Sequence, residues 1–424
     1  VPIESVDALQ DDARAAVEGT PVQVEFTGPV IQAAQPPETG TSELLGLLAA
    51  IIILIIMLGG LIAAGLPILL ALVSVGLGLS LLTLAAAVTN FNTITPVIAT
   101  MLGLGVGIDY SLFIVTRFRQ GIHDGLSGED AAAVAAATAG RAVLFAGLTV
   151  AISISALAVI GLDFITKLGL GAAITVVTAV IAAITLLPAV LSLIGTRIDR
   201  LKVPFVKSSD ASQAAHESSL IGRWGHFVTR HAKICAVAVI VVLVVLAIPV
   251  ASAQLGASDA GSSPPDTTTR KAYDLLAEGF GAGFNGPLII AVDQPAGSDA
   301  AGRMAAALRR VPGIAFVADP TVNESGDAAV ITAFPTTSPQ DAETQDVVRL
   351  LRSDVVDQAL AGTGARAFVG GSTAAFEDIS QRIYDRMPLF LLCVIGITFV
   401  LLSMAFRSVV IAVKAAVTTL MSAM

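Results

Sequence analysis

Asp109 and Tyr110 lie within the stretch 103–119, near the end of an apolar run that starts around Ile94. A carboxylate at that depth costs about 3 kcal/mol unless it is paired, hydrated or protonated. Hydrocarbon surroundings favour the neutral form of any carboxyl group, so such a side chain can take up and give back a proton. Tyr110 adds a hydroxyl that can donate or accept. Successive residues on a helix diverge by about 100°, so the two need not meet within one helix, and a facing helix can supply the partner. Gly103, Gly105 and Gly107 form small-residue spacing that lets another helix approach and shield the carboxylate from lipid. The alternative is a structural aspartate capped by a local hydroxyl such as Ser111, with the glycines serving packing alone. Arg117, roughly 12 Å further along the axis, marks the cytoplasmic boundary.

Other reactive residues form no comparable set. Cys235 and Cys393 lie far apart in apolar runs and read as small packing groups. His123, His216, His226 and His231 fall in polar connections without metal-ligand spacing. No nucleophile, base and orienting group cluster together, so neither an enzyme nor a cofactor or metal site is expected. The glycines at 103–107 lack the lysine-hydroxyl ending of a phosphate loop. Lys167 and Lys414 stand near span ends, where snorkelling explains them. Asp163 is expected in a short, solvated outer loop. Ser153, Ser155, Thr175, Thr178 and Thr185 are hydroxyls of the kind that bond their own helix backbone.

These side chains need elements to hold them, and the composition says which. Hydrophobic residues make up 55% of the 424-residue chain and charged ones 13%, against about a quarter charged in a soluble protein. Mean hydropathy is +0.83. This is a polytopic α-helical membrane protein. Seven runs reach the roughly 20 residues needed for a crossing: 42–64, 67–89, 94–116, 141–162, 167–195, 233–255 and 387–406, with an eighth opening at Val409. Gly59 with Gly60, and Gly65 through Pro67, are expected to form turns. No basic, aromatic-interleaved segment suggests nucleic acid, and the net charge of −9 says little about partners because the charges are segregated.

Lysine and arginine set the orientation. The linker 196–232 carries Arg197, Arg200, Lys202, Lys207, Arg223 and Arg230 against Asp199, Asp210 and Glu217, and 117–141 carries Arg117, Arg119 and Arg141. Both belong on the cytoplasmic side, which puts 256–386 outside the cytoplasmic membrane. That outer segment reads as an α+β domain: helix 267–280, strand 287–292, helix 299–311, strands 314–317 and 328–334, helix 340–360 and strand 366–369. The β-α-β-β-α-β order is the ferredoxin-like pattern.

An internal repeat is expected. A helix at 4–18 and a strand at 22–26 precede Gly28, as the 340–360 helix and 366–369 strand precede Gly370; Leu66 and Ser408 each follow by 38 positions. The plan is one crossing, an outer domain and five crossings, used twice. Residues 1–31 are then the end of a first outer porter domain, 42–195 its five-span bundle, 196–232 a cytoplasmic linker and 233–255 the span opening the second repeat. The second porter domain is 256–386, and 387–424 begins the second bundle. Val1 is no start methionine and Met424 falls inside an apolar stretch, so a fragment truncated at both ends is expected.

Gly107, Ile108, Asp109, Tyr110, Phe113 and Arg117 through Arg119 resemble the fourth transmembrane helix of MMPL-type transporters, a branch of the RND superfamily. Ala139 through Val143 resembles the opening of that family's fifth helix, and Phe406 through Ser408 with Lys414 and Ala415 the opening of its ninth. The resemblance covers essentially the whole chain. It implies twelve helices, two extracytoplasmic porter domains, and export of lipids or other hydrophobic molecules driven by the proton-motive force, as in actinobacteria. It also implies that Asp109 and Tyr110 carry protons opposite a second Asp-Tyr pair on the tenth helix. The repeat offset places that pair beyond Met424. Expected partners are protons, membrane lipids and a hydrophobic substrate, with envelope accessory proteins or a second copy left open. A protein-translocation accessory of RND type and a sterol-sensing-like regulator remain as alternatives.

Overall fold

A computed structural model describes residues 3–34, 40–201, 220–249 and 259–423. Lys202, Lys207, Asp210, His216 and Glu217 of the expected linker, and the last residues of the expected span 233–255, lie outside the described residues. The chain forms two compact units, one of residues 1–38 with 254–384 and one of 39–253 with 385–424. The first opens with helices α1 (Ile3–Ala16) and α2 (Pro29–Ala34). No strand forms at 22–26, where alternation predicted one. A strand needs a ladder partner, and Phe26 N donates instead to the Thr268 hydroxyl at 2.8 Å.

In the second unit α3 (Gly40–Leu58), α4 (Leu61–Ala85), α5 (Thr95–His123), α6 (Gly128–Ala135), α7 (Arg141–Ser155) and α8 (Asp163–Ile194) follow in order. A five-residue π segment, Ala136–Gly140, joins α6 to α7. Boundaries differ from expectation in three places, each for a physical reason. The chain breaks at Gly59, whose φ of +65° is cheap for glycine, so the first crossing ends at Leu58 and Pro67 sits inside α4. Helix α5 runs on to His123 because its last turns find buried polar partners. The next helical column starts at Gly128, capped by the Ser127 hydroxyl accepting from Asp130 N at 3.1 Å, so Arg141 lies within the column rather than opening it.

Five helices among the described residues are long and apolar enough to cross a membrane, and six if the bent pair α9 (Leu220–Arg230) and α10 (Ala232–Ala247) counts as one. Helix α3 is apolar but shorter, so the expected count of seven falls by this measure. The core of the unit joins Leu54 and Leu58 of α3, Leu66 and Leu70 of α4, Tyr110, Ile114 and Phe118 of α5, and Val180, Leu187 and Leu191 of α8.

The first unit continues with α11 (Thr268–Phe280), β1 (Leu288–Asp293), α12 (Ala300–Leu308), β2 (Ile314–Val317), β3 (Thr321–Val322), β4 (Ala328–Pro335), α13 (Ala342–Leu350), α14 (Val356–Leu360) and β5 (Arg366–Gly370). The sheet order is β2-β4-β1-β5, with β3 on β4 and every pair antiparallel. The two-residue β3 was not expected. Burial alternates along β1, as a half-covered sheet requires. Leu288, Ile290, Val292 and Ile331 pack against Met304 and Leu308 of α12, Val348 of α13 and Leu351 just beyond it. Helix α15 (Ser372–Phe406) carries the chain into the second unit, and α16 (Val409–Ala423) ends it.

Candidate functional site: the open face of α5

Helix α5 has two faces. Gly103 and Gly107 lie inward, four residues apart and therefore on one side. A Cβ on Gly103 would come 2.5 Å from Thr175 and 2.9 Å from Val75, and one on Gly107 would come 3.0 Å from Ala71. Only glycine lets α4 and α8 approach so closely, the small-residue packing that membrane helices favour. Gly105 does not belong to this set. It is exposed, and a Cβ there would meet nothing within 4 Å. The expectation that all three glycines pack around the pair is corrected by the helix period, which turns Gly105 about 200° away from Gly103.

Tyr110 points into the bundle and is 8% exposed. Its ring lies beside Gly147 of α7, where a Cβ would come 3.2 Å from Tyr110 and 2.1 Å from Val180. Gly147 escaped the sequence reading, although its signal was there. It belongs to the buried row Val143, Gly147, Ala151, spaced by four.

Asp109 faces the other way. It is exposed on the stripe Met101, Gly105, Asp109, Phe113, Thr116 and Gln120, and among the described residues it makes no hydrogen bond or ion pair. The Ser111 hydroxyl does not cap it; Ser111 Oγ donates to Gly107 O at 2.6 Å. Asp109 and Tyr110 therefore serve opposite faces, one anchored and one open.

Below Asp109 the open face leads into a groove of about 560 Å³ lined by Met57, Leu112, Phe113, Thr116, Arg117, Gln120, Thr138 and Ala139. Arg117 donates to Gln120 Oε1 at 2.6 Å. Arg119, two residues on, points inward and is 9% exposed. It donates from Nε to Asp199 Oδ1 at 3.0 Å and from Nη1 to Leu58 O at 2.9 Å. His123 Nε2 meets Asp199 Oδ2 at 3.0 Å. The Leu58 carbonyl is one that the end of α3 leaves unpaired, and across the break Leu61 N donates to Leu201 O at 3.2 Å. This clamp joins the ends of α3 and α5 to Asp199, in the short helical turn Gly195–Asp199 that follows α8. The sequence did not disclose it, because Arg119 and Asp199 are 80 residues apart.

The remaining candidates take local roles. Lys167 pairs with Asp163 at 2.7 Å, one turn away in α8. Thr178 and Thr185 donate to the carbonyls four residues back, at 2.8 and 2.6 Å. Among the described residues no three metal-ligating side chains group together.

The profile of the MMPL family matches residues 1–233 and 262–424. The chain belongs to the MMPL family. It is a multi-pass membrane protein of that branch of the RND superfamily. It is 39% identical over 96% of its length to the membrane protein YdfJ of Bacillus subtilis, 55% of which is covered. It is 31% identical over 88% of its length to MmpL11 of Mycolicibacterium smegmatis, an exporter of mycolic acid-containing lipids, 39% of which is covered. The chain thus spans about half the length of such relatives or less. A crystal structure of SecDF aligns with 89% of the chain and 46% of its own at 15% identity and a TM-score of 0.38, too distant to bear on function. The family matched here is one of transporters rather than enzymes.

Proposed function

We propose that this MMPL chain is the core of a secondary transporter that uses the proton-motive force to export lipids or other hydrophobic molecules across the cytoplasmic membrane. Asp109 and Tyr110 form half of its proton relay. The observation that carries the reading is the placement of Asp109: an exposed carboxylate on the open face of a helix long and apolar enough to cross a membrane, whose other face is packed. A relay carboxylate needs a face free to meet a partner in one state and release it in another. Tyr110, Gly103 and Gly107 fix the rotation of α5, so the carboxylate has one direction in which to act.

On this reading the bundle 42–195 and the opening of a second bundle at 387–424 are repeats, joined through a cytoplasmic linker at 196–232 and a span at 233–255. Residues 256–386 form an extracytoplasmic porter domain, and 1–31 end an earlier one. The antiparallel order β2-β4-β1-β5 supports a ferredoxin-like assignment for the porter domain. Protonation of Asp109 biases the bundle, and the porter domains turn that motion into substrate passage. The test is Asp109→Asn in the full-length protein, followed by export of envelope lipids and growth. Export lost in the variant while protein level is retained is the expected result; unaltered export would overturn the relay.

A further inference from the structure

The residues between the bundle and α10 contain a feature that proton transfer does not use. Helix α9 meets α10 at an angle of 93°. His231 stands at the corner, its Nδ1 3.1 Å from Phe227 O. If α10 runs along the membrane normal, α9 must lie in the membrane plane.

The composition of α9 suits that position. At 100° per residue, Trp224, Phe227 and Val228 fall within an arc of about 100°. Arg223, His226, Thr229 and Arg230 take the rest of the circumference. Trp224 and Phe227 stack with ring centroids 5.7 Å apart, and they are 64% and 50% exposed. No residue from 222 to 230 is buried, so this aromatic face lies uncovered among the described residues. Arg223, Arg230 and Lys233 are all exposed, and no carboxylate occurs between residues 220 and 249.

We propose that α9 is an in-plane anchor that binds the anionic phospholipid surface of the cytoplasmic leaflet. Trp224 and Phe227 enter the boundary between headgroups and acyl chains, and Arg223, Arg230 and Lys233 engage lipid phosphates. An aromatic face beside a cationic one is the pattern of helices that lie on membranes, and cations near an anionic leaflet add to the binding. A bilayer surface rather than a protein partner is favoured because the charge is of one sign and the corner is close to a right angle. The assignment of side rests on the proposed transporter orientation; insertion itself does not.

Trp224 is the only tryptophan in the chain and therefore reports on α9 alone. The 424-residue protein is reconstituted into phosphatidylcholine vesicles, with and without phosphatidylglycerol, and quenched by acyl-brominated lipid or by aqueous acrylamide. In the anionic vesicles Trp224 is expected to emit at blue-shifted wavelength, to be quenched by lipid brominated near the glycerol end, and to resist acrylamide. Protection should weaken in pure phosphatidylcholine, and that difference should vanish in the Arg223→Gln/Arg230→Gln variant. Acrylamide quenching without lipid quenching in both vesicles would overturn the proposal by placing α9 in water. Protection from both quenchers would overturn it by placing a protein surface over Trp224. Equal lipid quenching in the two vesicle types would overturn the anionic preference, a comparison the wild-type chain makes even if the variant misfolds. None of these outcomes depends on Asp109, so an inert Asp109→Asn variant would leave them readable.

Discussion

The two faces of α5 share one backbone and much the same apolar composition, yet they do different work. The inward face, Gly103, Gly107, Tyr110, Ile114, Phe118 and Arg119, is built by close approach and ends in a part-buried ion pair. The outward face, Gly105, Asp109, Phe113 and Arg117, is open and holds the one acidic residue of the helix. Each face has its arginine: Arg119 ties three elements together, whereas Arg117 lines a groove. The difference teaches that neighbours in sequence can be assigned to separate duties by the 100° step alone. Adjacent Asp109 and Tyr110 lie on opposite faces, one exposed and one buried.

Substitutions can sharpen or break that contrast, and the largest effect belongs to the open face. Asp109→Asn is expected to reduce proton-coupled export by more than about ten-fold while leaving the melting temperature in detergent unchanged, since no partner is lost. A lowered melting temperature with normal export would invert the assignment. Next comes the clamp. Asp199→Asn removes a charged partner 2.9 Å from Arg119 in a part-buried site, and breaking such a pair is expected to lower the unfolding midpoint. Chemical or thermal unfolding of the purified protein reads this, and an unchanged midpoint would mean that the three elements are held by something else.

Overpacking is smaller. Gly107→Leu forces α5 away from Ala71, a change typically costing about 1–3 kcal/mol, and Gly147→Val pushes on both Tyr110 and Val180. The smallest effect is at the third glycine. Gly105→Ala has open space and a better helix former, so its stability should match wild type or exceed it by up to about 1 kcal/mol. If Gly105→Ala and Gly107→Leu were equally damaging, the two-face description would fail.

The sequence made much of this legible, but unevenly. Five or six of the seven expected spans reappear as helices of sufficient apolar length, because apolar length is local information. The faces could not be placed, because α5 is apolar nearly all round and offers little periodic contrast; only the four-residue spacing of Gly103 and Gly107, set against Gly105, carried it. Helix α9 is masked in the sequence by the charges of the surrounding linker, although Trp224, Phe227 and Val228 mark a helical face. The pattern at 22–26 alternates like a strand, but alternation specifies a face and not a partner. Contacts between distant residues, such as Arg119 with Asp199, depend on the bundle having assembled, and no local pattern encodes them.

The central claim is that Asp109 binds and releases the transported proton. Infrared difference spectroscopy of the full-length protein in lipid, stepped between acidic and neutral pH, tests it most directly. A protonated-carboxyl band that gains and loses intensity with pH in wild type and is missing from Asp109→Asn is the predicted result. The same pH-dependent band in both proteins would contradict the account.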